Sequence, residues 1–103
     1  MKLTIEVTGF KRFERGTLVG FCDIVIRELR LKVYEVALHE KGSARWAAMP
    51  SRPWLKDGVA IRGDDGKIQY KPIFEFETRE VRDAFSASVW RALLDFDPNA
   101  VAA

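Results

Sequence analysis

The chain has one cysteine, Cys22, and one histidine, His39, among its 103 residues. A lone thiol excludes a disulfide framework and a thiolate metal site. A single imidazole with no cysteine or second histidine near it in sequence leaves neither a metal centre nor a Cys–His nucleophile pair. No Gly-x-Ser-x-Gly frame surrounds Ser51, Ser86 or Ser88, so no nucleophile elbow is expected. The glycines offer no phosphate cradle, because Gly63-Asp64-Asp65-Gly66 sets two carboxylates where a phosphate needs donors. Asp64 and Asp65 read either as acid–base or cation ligands or as a solvated hairpin tip, and the tip is the commoner use of such residues. No apolar run approaches the ~20 residues of a membrane span. Met1-Lys2-Leu3-Thr4-Ile5-Glu6 alternates at once and lacks the apolar core of a signal peptide. The expectation is a cytoplasmic protein, not an enzyme, with no cofactor, no metal and no membrane partner.

What is present is ordinary globular composition, 48% hydrophobic and 31% charged, which excludes a disordered chain. The length suits a single domain over residues 1–103. Net charge is +2 and the pI is about 8.8. That balance permits nucleic-acid binding without announcing it, since dedicated binders often exceed a pI of ~9.

Period-two alternation predicts a half-buried strand over 2–8, with Leu3, Ile5 and Val7 on one face and Lys2, Thr4, Glu6 and Thr8 on the other. A charged loop, Lys11–Gly16, follows. Residues 17–28 predict a second strand with two apolar faces, Leu18, Cys22, Ile24 and Ile26 against Val19, Phe21 and Val25. A strand of that pattern is covered on both sides. Residues 30–39 predict a third, with Tyr34, Val36 and Leu38 opposed to Leu31, Val33 and Ala37. Glu28-Leu29-Arg30 between them has no tight-turn residue and reads as a bend or bulge. A fourth strand over 43–49 stops at Pro50, which cannot donate to a ladder. It hands over to a basic aromatic loop, Ser51-Arg52-Pro53-Trp54-Leu55-Lys56. Residues 59–62 and 67–70 flank Gly63–Gly66 as a short hairpin.

One helix is expected over 78–95. Thr78 suits the N-cap, Glu80 and Asp83 suit the positive end of the macrodipole, and Pro98 closes the element. Val81, Phe85, Val89, Ala92 and Phe96 form one apolar stripe, and Ala87, Trp90 and Leu94 a second on nearly the opposite side. A helix of 18 residues is roughly 27 Å long and covers one face of a four-stranded sheet. The other sheet face and the second stripe then need a partner, for which a two-fold homodimer is the economical choice. The fold class expected is α+β: an antiparallel four- to five-stranded sheet with one C-terminal helix.

Three basic groups are candidates for phosphate contact. Lys11, Arg12 and Arg15 interleave with Phe10 and Phe13, and Arg52 and Lys56 flank Trp54 near Arg45 and Trp46. Cations neutralise phosphates and exposed rings stack on bases. The phenylalanines equally suit the core edge, and Trp54 equally suits packing on the sheet or on a second subunit. Arg79 and Arg82 share a helix side with Ser86, yet Glu75, Glu77, Glu80 and Asp83 crowd that end and repel a polyanion.

The run Ala48-Met49-Pro50-Ser51-Arg52, ending a strand and opening a basic loop, resembles the stage V sporulation protein G (septation regulator) family. The order of elements from about residue 17 to 96 is similar to that family's as well. The stretch between Ser51 and the helix is longer than the family's usual connection. The resemblance implies a small dimeric α+β fold and a regulatory role in binding DNA and RNA. Arg52 is the matching basic position, with Arg79 and Arg82 as looser counterparts. The alternative is a protein-interaction module that uses the apolar sheet face and the Trp54 and Trp90 rings as anchors.

Overall fold

The computed structural model describes residues 3–100. Lys2, placed by the alternation on the polar face of the first strand, lies outside the described residues. Four strands pair antiparallel in sequence order: β1 (Ile5–Arg15), β2 (Leu18–Ile26), β3 (Leu31–Lys41) and β4 (Ala44–Ala48). One helix, α1 (Arg79–Phe96), packs across a single face of this sheet. The architecture is α+β, as the alternation and the helical spacing lead one to expect. Among the described residues no helix is long and apolar enough to cross a membrane.

The first strand runs further than its hydrophobic alternation. Lys11–Arg15 belongs to β1 rather than to a loop, and Gly16, at φ 59°, makes the turn. The alternation fades there because the ladder leaves the helix behind, so there is no core for those side chains to face. Between β2 and β3 the expected bend is a single 3-10 turn over Arg27–Leu29, closed by Arg30 at φ 51°. Two ties hold this corner: Arg27 to Glu6, and the Thr4 amide and hydroxyl to the Glu28 carboxylate.

The core takes Val7, Cys22, Ile24, Ile26, Val33, Val36, Leu38 and Ala47 from the sheet, and Phe85, Val89, Trp90, Ala92 and Leu93 from the helix. Strict alternation along β3 puts Val33 and Val36 on opposite faces, yet both are buried in the same core. The cause is a bulge. Ile24 pairs with Val33 and Cys22 with Val36, so Tyr34 and Glu35 together oppose Asp23. Glu35 adopts φ 58° and its amide donates to Asp23 Oδ1 at 3.0 Å. One inserted residue reverses the parity of everything after it. A second shift, between Leu18 and Gly20, turns Val19 onto the core side, the reverse of its expected face. Gly20 itself is required there, because a Cβ would strike the Lys11 carbonyl and the Phe10 ring.

The helix starts as expected, with Thr78 Oγ1 accepting from the Val81 amide. Its faces differ from the two-stripe expectation. Trp90 is 5% exposed and turned toward β4, where its Nε1 donates to the Trp46 carbonyl at 2.9 Å. The Arg45 guanidinium covers that ring at 5.1 Å. Val81 and Phe96, expected in the core stripe, stand about half exposed at the two ends of the helix. The helix lies across the sheet and contacts both β1 and β4, and its buried residues run from Phe85 to Leu93, short of its two ends. Of the expected second stripe Trp90 is buried, Leu94 half-buried and Ala87 exposed, so Trp90 is not available as an anchor.

Candidate nucleic-acid interface

Between β4 and α1 the chain builds an arm. After Pro50, β5 (Ser51–Pro53) pairs with β8 (Tyr70–Pro72), and β6 (Leu55–Lys56) pairs with β7 (Val59–Ala60). The segment expected to be a basic loop is therefore mostly ladder. Asp57 and Gly58 both take positive φ, 53° and 79°, the conformation of the two-residue hairpin turn that favours Asp-Gly. The hairpin expected around Gly63–Gly66 is present only at its tip, where Arg62 bridges Ile68; Val59–Ala60 pairs instead with Leu55–Lys56, and Tyr70 with Pro53. Its carboxylate Asp65 accepts from the Lys67 amide at 2.9 Å, a turn contact rather than a cation site. The radius of gyration, 14.7 Å, exceeds the ~13 Å of a compact chain this long.

Trp54 sits where the arm's segments meet. Its amide donates to the Gln69 carbonyl and its carbonyl accepts from the Ile61 amide, each at 2.8 Å. The backbone is thus held on both sides while the residue stays 49% exposed. Two residues earlier, Arg52 lies directly opposite Lys71 in the β5–β8 ladder. Side chains directly opposed across strands share a face, and like charges placed so repel. Neither cation has an ion pair or a side-chain hydrogen bond among the described residues. Arg52, Trp54 and Lys71, with Pro53 and Leu55, line a cleft of about 190 Å³. Lys71 escapes the sequence reading because its relevance comes only from the register, which pairs it with a residue nineteen positions earlier.

The other predicted residues do not converge on this cleft. Lys56 continues on β6, exposed, beyond Trp54. Lys11 lies beside Phe13, Phe21, Asp23 and Glu35, where two carboxylates accompany it. Arg12 is committed elsewhere, donating to the Ala100 carbonyl beyond the helix at 3.0 Å, and pairs with Glu14 at 3.5 Å. Arg15 is exposed at the end of β1. Phe10 packs on the core, and Phe13 tilts against Phe21 with ring centroids 6.4 Å apart. β1 and β4 are the two edges of the sheet, three strand spacings or roughly 14 Å apart. Lys11, Arg12 and Arg15 therefore form a group separate from the arm. Arg79 and Arg82 both reach Asp83, at 3.6 and 3.7 Å. Glu75 and Glu77 line the same hollow as these two arginines, which leaves that end of the helix with more carboxylates than cations.

Burial governs the two remaining reactive side chains. It pushes the Cys22 thiol up to about 12, with the neighbouring Asp23 charge adding to the effect. It holds the His39 imidazole below its ordinary value; the ring stacks on Trp46 at 5.3 Å and its Nδ1 lies 2.9 Å from Thr17 Oγ1. Among the described residues no group of three or more His, Cys, Asp or Glu side chains is placed to hold a metal ion. Compared with protein-family models, with curated proteins and with solved structures, the chain matches none.

Proposed function

We propose that this protein is a non-catalytic nucleic-acid-binding regulator, working as a cytoplasmic homodimer, that grips phosphates with its arm. The observation that carries the reading is the Arg52–Lys71 pair, two cations opposed across a ladder with no ion-pair partner among the described residues. Such a pair costs the free protein repulsion that a bound anion removes. Lys56 extends the positive run, while Lys11, Arg12, Arg15, Arg79 and Arg82 recede to supporting or structural roles. The resemblance of Ala48-Met49-Pro50-Ser51-Arg52 to the sporulation protein G family points to the same activity.

The homodimer rests on the sheet face opposite the helix. Phe13, Tyr34 and Trp46 are exposed there or at its margins, and a second copy is the simplest cover for such a face. That face equally supports the second reading, a module that docks a different protein. The two readings separate in one binding experiment. Phosphate gripping requires affinity for oligonucleotides that falls steeply with salt, and Arg52→Glu then abolishes it. Full affinity at high salt, or none at low salt, rejects it.

A further inference from the structure

We infer that the arm takes single-stranded nucleic acid, one base stacking on the Trp54 indole while the adjoining phosphate lies between Arg52 and Lys71; this rests on the nucleic-acid reading above. Of the three tryptophans, Trp46 already carries His39 stacked on one face and Trp90 is buried beneath Arg45. Trp54 has no ring or cation partner among the described residues. Its backbone is nonetheless pinned by Gln69 and Ile61, so the ring is presented from a fixed point and little order has to be gained on binding.

The spacing suits one nucleotide. Arg52 and Trp54 are two residues apart along the arm, about 7 Å in extended chain, and both line the same cleft. Lys71 is directly opposite Arg52 on the neighbouring strand and lines the cleft with it and with Trp54, which brings two cations and an indole to one site. At about 190 Å³ the cleft is smaller than the ~300–1,000 Å³ of a drug-sized pocket, which suits a single planar base and not a larger group.

A duplex offers this site the wrong surface. A two-stranded ribbon can enter a major groove, but an indole presents one donor and no acceptor to a base edge. Its flat face needs the flat face of a base, which pairing and stacking hide within a duplex and which a single strand leaves open. Anionic lipid is the competing polyanion, since Leu55 and Val59 are also exposed on the arm. A ring carried on a pinned backbone, beside two cations opposed across a ladder, favours a nucleotide over a fluid surface.

The test uses the full chain with a labelled oligonucleotide, its duplex, and vesicles of phosphatidylserine and of phosphatidylcholine. Wild type, Trp54→Ala, Trp54→Phe and Arg52→Glu are compared by anisotropy and vesicle co-sedimentation, with helix content checked by circular dichroism. The expected result is at least tenfold tighter binding of the single strand than of the duplex. Trp54→Ala then loses roughly 5- to 100-fold in single-strand affinity, and Trp54→Phe keeps most of it. Equal binding of both forms, lost in Arg52→Glu and indifferent to Trp54→Ala, overturns the single-strand assignment and leaves phosphate gripping intact. No oligonucleotide binding at low salt overturns both, whether or not phosphatidylserine vesicles are bound.

Discussion

The Ser86 hydroxyl closes both polar groups of Ala47: it accepts from the Ala47 amide at 3.1 Å and donates to the Ala47 carbonyl at 3.0 Å. β4 is an edge strand, and at this point a side chain of α1 takes the place of a fifth strand. Among the described residues Ser86 is also the one polar side chain that is buried, so its position on the apolar arc of the helix has a definite reason. Ser86→Ala leaves a buried donor and acceptor unpaired. The expected loss is about 1–3 kcal/mol, read from urea unfolding midpoints with an unchanged m-value; a loss below a few tenths contradicts the pairing.

Glu35 occupies the left-handed region at φ 58° because the β3 bulge requires it. Glycine adopts that conformation without the Cβ conflict. Glu35→Gly is expected to be neutral or to stabilise by up to about 1 kcal/mol, and Glu35→Val to destabilise. Asp23→Ala removes the acceptor for the Glu35 amide and is expected to cost more than either. Thermal unfolding of the three variants orders them.

How much of this was legible in the sequence follows from which forces act locally. The four sheet strands and the helix announce themselves through period and capping, because Thr78, the alternation of Val7, Ile24 and Leu38, and the stop at Pro50 are all local signals. Faces beyond a bulge were not legible. Nothing in Tyr34-Glu35 marks the inserted residue, which depends on an Asp23 carboxylate reached across the sheet. The inward turn of Trp90 depends in the same way on the Trp46 carbonyl in another element. Arg52 and Trp54 were readable as candidates from their types and spacing, whereas Lys71 needed the β5–β8 register.

His39 gives the fold a pH dependence of predictable sign. Burial holds its folded-state value below the ordinary 6.5, so the unfolded chain binds the proton more readily and stability rises with pH. The contribution is full above about 6.5, declines as the pH falls below it, and levels off under the depressed folded value. His39→Gln is expected to flatten that part of a stability-against-pH curve. A curve unaltered by the substitution contradicts the assignment.

Cys22 is 1% exposed and its thiol is pushed up to about 12, so almost no thiolate exists at neutral pH. Labelling by a maleimide or a disulfide reagent is expected only through unfolding. Its rate should rise with denaturant in step with the unfolded fraction, and rapid labelling of the native protein contradicts the burial.

The reading of the arm as a phosphate grip stands on Arg52 and Lys71 acting together. The most direct measurement is oligonucleotide affinity at two salt concentrations for wild type, Arg52→Ala, Lys71→Ala and the double variant. Binding is expected to weaken steeply with salt, and each single variant to lower the magnitude of the salt slope by about one. The double variant should lose less than the sum of the two, because the cations share one phosphate. Salt-insensitive binding, or affinity unchanged in all three variants, contradicts the phosphate grip.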